Sequence, residues 1–333
     1  MSSPDFLYVP KLLMGRKTSE PETIGVMDYF YLPLALGDAI TSIVNLSMQA
    51  HLSKTTKTRI FVVADGRRVN HQHHITRVNY YQHVNDLLPV YYCTPNLKSL
   101  HVMYDRDNLD SVLLTSHLKG HTLWPSYHNN LKRKVDYYSH IGINAFYREH
   151  GFIPKIVAPL GFEKSTEKFF ENHIKGKFVV AVNIRQRQFQ GDHAQLERDS
   201  SISEWYRFFK VAQEKFPSVV FVNMGGFAEW DRELINYPNV VIPRTLGFGL
   251  GEELSTLLKA NLFMGTSSGF AAGATFSDVP YVITNYEHAV AQRVELNMGE
   301  SYPFANKHQT ISWERETTDL LLQLFTEKYR VLS

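Results

Sequence analysis

The stretch from Leu262 to Asn285, LFMGTSSGFAAGATFSDVPYVITN, decides the fold. It opens on an apolar strand, Leu262-Phe263-Met264, and halts at Thr266-Ser267-Ser268-Gly269. A helix is predicted from Gly269 to Phe276, and the turn at Asp278-Val279 leads into a second apolar strand, Pro280-Tyr281-Val282-Ile283. Strand, helix and strand in this order signal neighbouring strands of a parallel sheet. The helix is nearly smooth, with Ala271-Ala272-Gly273-Ala274 at its centre. Small residues there permit close approach by a neighbouring element or a ligand.

The same alternation extends outward from this stretch. Phe178 to Ile184 is an apolar strand, Ile202 to Phe216 a helix and Val219 to Met224 a strand broken by Gly225-Gly226. Asn239 to Ile242 is predicted as a short strand, Glu252 to Ala260 as a helix and Glu316 to Tyr329 as the closing helix. An earlier series begins with an apolar-aromatic strand, Met27 to Leu32, followed by a helix over Ala39 to Leu52 with Ile40, Ile43, Val44 and Met48 on one face. Arg59 to Ala64 is a buried strand, and Val90 to Cys93 and Leu100 to Tyr104 are shorter strand candidates. Leu131 to Phe152 reads as helical, and the Pro- and Gly-punctuated stretch after it marks a boundary. The expectation is α/β, with two tandem doubly wound, Rossmann-like domains facing a central cleft. Residues 1–155 are expected to form an N-terminal Rossmann-like domain and 156–315 a C-terminal one, with a helix over 316–333 packing back on the first.

Composition narrows the function classes. The chain has 333 residues, 44% hydrophobic and 20% charged, with a net charge of +2. Its basic residues are spread along the chain, so neither nucleic acid nor an anionic membrane is demanded. The one cysteine, Cys93, excludes an intrachain disulfide and a cysteine-rich zinc site. No apolar run reaches the ~20 residues that span a bilayer, and no signal peptide is read at the N-terminus. A cytoplasmic location is expected, with peripheral membrane contact left open. The 18 tyrosines suit strands and packing as well as polar-tipped sugar contacts.

In doubly wound sheets ligands bind beyond the carboxyl ends of the strands. Asp38 follows the first strand, at the Ncap or first position of its helix, where a carboxylate suits the dipole or serves as a general base on an acceptor hydroxyl. Gly37 before it permits a tight turn. Arg185 and Arg187 follow the first strand of the second series, and guanidinium groups there hold phosphate bidentately. The polar stretch Gln188 to Ser201 reads as a long loop beside the cleft. Gly225 and Arg244 end further strands, as base or ribose contacts or as plain turns. Thr266, Ser267, Ser268 and Gly269 combine N-capping with an anion-binding set of hydroxyls and helix N–H groups. Glu287, after the last strand, is placed to accept hydrogen bonds from sugar hydroxyls or to complement a helix dipole. The histidine-rich Asn70-His71-Gln72-His73-His74 reads as a polar loop, because no carboxylate or cysteine recurs nearby. No GxGxxG after a strand, P-loop or GxSxG elbow is present.

These residues resemble the GT-B glycosyltransferases, two doubly wound domains with a nucleotide-sugar between them; the resemblance implies that residues 1–155 are the acceptor-side domain and 156–315 the nucleotide-sugar-binding domain. Leu36-Gly37-Asp38-Ala39-Ile40 resembles the glycine-aspartate turn of the heptosyltransferase family, where the aspartate is the catalytic base. Phe263 to Gly269 resembles that family's turn for donor phosphate, and the small-residue helix and Asp278-Val279-Pro280 fit it too. Asn183-Ile184-Arg185-Gln186-Arg187 is similar to the histidine-x-arginine-arginine segment of fucosyltransferases, with Asn183 and Gln186 as departures, so that only Arg185 carries over. The resemblance implies inverting transfer from a nucleotide-sugar to a glycan or similar hydroxyl, with no metal cofactor. A sugar-nucleotide epimerase of the same fold and a non-catalytic nucleotide- or carbohydrate-binding module are the alternatives.

Overall fold

The computed structural model describes residues 20–66, 75–131, 140–186, 198–226, 231–286, 291 and 294–333. The fold is α/β with two parallel sheets. The first sheet contains β1 (Thr23–Asp28), β2 (Thr58–Val63), β3 (Leu97–Met103) and β4 (Thr122–Trp124), in the spatial order β3-β2-β1-β4. The second contains β5 (Phe178–Asn183), β6 (Val219–Asn223), β7 (Val240–Val241), β8 (Leu262–Thr266), β9 (Tyr281–Thr284) and β10 (Gln309–Ile311), in the order β10-β9-β8-β5-β6-β7. β1, β5 and β8 are buried along their whole length. That explains their near-continuous apolar sequences, since strands covered on both faces need no polar alternation.

The helix after β1 is α1 (Leu36–Leu52). The next helices in the chain are α2 (Tyr80–Leu87), α3 (Leu109–Leu118), α4 (Tyr127–Leu131), α5 (His140–His150) and α6 (Glu163–His173). In the second half come α7 (Ile202–Lys215), α8 (Leu250–Lys259), α9 (Gly269–Thr275) and α10 (Thr318–Leu332). One hydrophobic cluster runs through both halves, from Met27, Ile40 and Ile43 to Leu254, Leu257, Phe263 and Ala274. The smooth α9 is the reason. A Cβ on Gly273 would lie 2.8 Å from Leu257 Cδ2 and 3.7 Å from Ile40 Cδ1, so the bare helix lets α8 and α1 close on it from two sides. Residues between the sheets bridge both halves as well. Ile156 N donates to Phe276 O at 2.9 Å and Val157 N to Cys93 O at 3.0 Å.

Several expectations are corrected. The first strand is Thr23–Asp28 and not Met27 to Leu32, because the chain folds back at Asp28: Tyr31 N and Leu32 N both donate to its carbonyl, at 2.9 and 2.8 Å. Val90 to Cys93 belongs to a 3₁₀ helix, Leu88–Cys93, opened by a proline that cannot donate to a sheet. Among the described residues, the closing helix α10 packs on the second half and not back on the first. It lies on α7, with Phe325 against Phe208, Phe216 and Phe221. Its rings fill the face of the second sheet that α9 and α1 leave uncovered.

Candidate functional site

The site is assembled where the two halves meet. Asp38 is not at the Ncap or first position expected from the sequence: α1 starts at Leu36 with Ala35 as the N-cap, so Asp38 stands third in the helix and makes its first turn acidic. The helix interior is polar in its early turns, yet satisfied. Thr41 Oγ1 donates to Gly37 O at 2.9 Å and Ser42 Oγ to Asp38 O at 2.8 Å. Gly37 meets the opposite half here, for its Cβ would lie 3.7 Å from Gly269 Cα. Gly269 is tighter still, since a Cβ there would come within 2.6 Å of Leu36 Cβ. The starts of α1 and α9 therefore touch, and this brings Asp38 to the turn Thr266-Ser267-Ser268-Gly269.

Within that turn the residues divide by burial. Thr266 is fully buried and points into the protein. Ser268 is the N-cap of α9, and its Oγ accepts from Ala271 N at 3.2 Å. The carbonyl of Ser267 accepts from Arg198 Nη2. Arg198 was hidden in the polar stretch between β5 and α7. A single arginine among glutamines, aspartates and serines carries no periodic or motif signal, and only the fold brings it to Ser267.

Arg185 lies at the end of β5, 7% exposed, and forms a buried ion pair with Asp199. The pair is fixed by backbone on both sides. Ser200 N donates to Arg185 O at 2.9 Å, Gln186 Nε2 to Ser200 O at 2.6 Å and Asn285 Nδ2 to Asp199 O at 3.1 Å. Asn285 supplies its amide from a left-handed backbone, φ 53°, a conformation asparagine tolerates better than most residues. Beneath this loop lies Glu316, which accepts from Thr284 Oγ1 at 2.8 Å and Ser201 N at 2.9 Å. Burial nevertheless holds its carboxyl above the ordinary range.

Gly225 and Arg244 converge on one carboxylate that the sequence did not flag. Glu253, on α8 and wholly buried, accepts from Gly225 N at 3.0 Å and Arg244 Nη2 at 2.7 Å. Gly225 has φ 136°, outside the range most L residues adopt, which accounts for glycine there. The ends of β6 and β7 are thus joined through α8.

On the first sheet the carboxyl edge carries residues that the motif search passed over. Asp28, at the end of β1, is buried and paired with Arg106, whose guanidinium lies 5.0 Å from the Phe30 ring centroid and 5.7 Å from that of Tyr31. Tyr29 OH and Tyr91 OH hydrogen-bond at 2.7 Å. Burial raises the Tyr91 phenol, and the Tyr29 and Asp38 groups add to the shift. Burial likewise pushes the Cys93 thiol up to about 12, which leaves it an inert packing residue. Arg187, Glu287 and the histidines at 71, 73 and 74 lie outside the described residues. Among the described residues, no helix is long and apolar enough to cross a membrane.

Comparison with solved structures fixes the fold. The chain is similar to a glycosyl transferase family 9 protein from Veillonella parvula, with 13% identity and a TM-score of 0.50 over 96% of this chain and 99% of that one. It is also similar to the ADP-heptose LPS heptosyltransferase II of E. coli, with 12% identity and a TM-score of 0.56 over 93% and 98% of the two chains. No protein-family model and no curated protein sequence matches the chain.

Proposed function

We propose that this chain is a glycosyltransferase that moves a sugar from a nucleotide-sugar donor to a hydroxyl of a glycan, with inversion and without a metal ion. The observation that carries this reading is the contact of Gly37 with Gly269, which sets the Asp38 turn of one sheet against the Ser267-Ser268-Gly269 turn of the other. A GT-B fold supports it, since two solved structures to which the chain is similar are glycosyltransferases by name.

In the proposed reaction the acceptor oxygen attacks the anomeric carbon on the face opposite the nucleotide. The bond from that carbon to the phosphate oxygen breaks, and its electron pair leaves with the nucleoside phosphate. Asp38 takes the acceptor proton as the new bond forms, a contribution of about 100-fold or more. Negative charge grows on the leaving phosphate. The Ser267-Ser268-Gly269 turn and Arg198, held to the Ser267 carbonyl, are positioned to stabilise it, each such donor being worth about 3 kcal/mol. Arg185 adds positive charge from beneath, moderated by its pairing with Asp199. Arg187 and Glu287 complete the proposed donor set, with Gly225 and Arg244 on the nucleoside side.

The test begins with a thermal-shift screen of nucleotides and nucleotide-sugars, because a ligand that binds only the folded state raises the melting temperature. A selective rise with one nucleotide is expected, followed by sugar transfer that survives a chelator. Asp38→Asn is expected to keep nucleotide affinity and lose transfer by about 100-fold. Wild-type rates in that variant would remove Asp38 from the chemistry, and loss of activity with the chelator, restored by a metal, would overturn metal independence.

A further inference from the structure

At the end of β2, the neighbour of β1, lies an open cavity of about 410 Å³ lined among the described residues by Asp65, Gly66, Arg77, Tyr80 and Tyr81. We infer that this cavity binds a pyranose residue of the acceptor glycan, with Tyr81 under the sugar face and Asp65 and Arg77 on its hydroxyls. The inference rests on the glycosyltransferase reading and names the acceptor class and its seat.

Three features point to a sugar. The first is the lining itself. A carboxylate accepts hydrogen bonds from hydroxyl groups and a guanidinium donates to their oxygens, so the pair matches the mixed donor and acceptor character of adjacent sugar hydroxyls. The second is the aromatic surface beside it. Tyr81 and Tyr104, 44% and 54% exposed, meet edge to face with ring centroids 5.7 Å apart. Large exposed rings with a polar tip suit a ligand that has an apolar face and a hydroxylated rim. The third is restraint of the charges. Asp28 is neutralised by Arg106 next door, and the lining itself carries one acidic and one basic side chain, Asp65 and Arg77.

The position also fits the chemistry. β1 and β2 are parallel and in register, with Asp28 opposite Val63, so Asp65 lies two residues beyond that pair while the chain leaving β1 leads to Asp38. Tyr80 OH reaches Asp65 O at 3.5 Å, and Tyr29, next to Asp28, is hydrogen-bonded to Tyr91 at 2.7 Å. A sugar seated on Tyr81 thereby lies at the same carboxyl edge of the sheet from which the chain leads to Asp38.

Saturation-transfer NMR on the full chain tests this, with methyl glucoside, methyl galactoside and methyl mannoside as probes and inorganic phosphate as competitor. At least one glycoside is expected to receive magnetisation at its ring protons, with phosphate unable to displace it. Tyr81→Ala is expected to weaken that glycoside by about tenfold, a difference of ~1.4 kcal/mol, and Tyr81→Phe to retain it, as Tyr81 is exposed and its removal leaves the core intact. The thermal shift given by nucleotide is expected to be the same in both variants. Absence of glycoside binding, displacement by phosphate, or equal affinity in Tyr81→Ala would each overturn the assignment. If wild type binds nucleotide and not glycoside, the acceptor seat alone fails. If no nucleotide binds, the glycosyltransferase reading fails first.

Discussion

Gly37 of the first half and Gly269 of the second meet at the starts of their helices, and the two glycines are not equivalent. A Cβ on Gly37 finds ordinary van der Waals contact, 3.7 Å from Gly269 Cα, whereas one on Gly269 is driven to 2.6 Å from Leu36 Cβ. Gly269→Ala is therefore expected to destabilise the protein by about 1–3 kcal/mol through overpacking. Gly37→Ala replaces glycine near the start of a helix and is expected to be neutral or to stabilise by up to about 1 kcal/mol. Urea denaturation of the two variants reads the difference. Equal effects would show that the helix starts do not bear on one another.

Arg185 and Arg198 separate by environment. Arg185→Ala leaves Asp199 buried without its cation, so a loss of about 3–5 kcal/mol of stability is expected. Arg198 is less buried and touches the Ser267 carbonyl, so Arg198→Ala is expected to lower nucleoside diphosphate affinity about tenfold or more in calorimetry, with a smaller change in stability. Unchanged affinity in Arg198→Ala would remove it from the donor site.

Arg106 offers a control away from the donor. Its side chain is 10% exposed and that of Asp28 4%, and two aromatic rings flank the guanidinium. Arg106→Ala is expected to cost about 3–5 kcal/mol. Arg106→Lys keeps the charge and loses the planar guanidinium beside the Phe30 and Tyr31 rings, and is expected to recover only part of that loss. Full recovery by lysine would mean that charge alone matters there.

Much of the second sheet was legible in the sequence because its strands are buried on both faces and its turns fall on Ser267-Ser268-Gly269 and Gly225-Gly226. The Thr23–Asp28 boundary was not, since the aromatic run Tyr29-Phe30-Tyr31 continues the apolar pattern past the residue where hydrogen bonding turns the chain. β4 and β10 were missed because three residues give no periodicity. Of the candidate site, Asp38 and the serine turn were visible by their place after strands. Glu253, Arg198 and Asp65 were not, because each acquires its partners from segments distant in the chain.

Glu316 gives a pH dependence. Burial raises its carboxyl above the ordinary 4.5, so the folded state favours the protonated form. The stability it contributes is full below the unfolded value, near pH 4.5, and is lost as pH rises through the raised folded value. Glu316→Gln has no proton to lose. The melting temperature of wild type minus that of the variant is expected to fall as pH rises through this window and then to level off. A difference that is flat or grows with pH would contradict the burial effect.

Glu253 has a consequence for any ligand that binds beyond the ends of β6 and β7. It is out of reach of that ligand, yet Gly225 N and Arg244 both end on its carboxylate. Spreading those strand ends means pulling a buried carboxylate from its guanidinium and from a backbone amide at once. The walls are fixed before anything arrives, and the conformational entropy of ordering them has already been lost in folding and is not charged against affinity. The side chain that most constrains this part of the cleft is one that no map of ligand contacts would include.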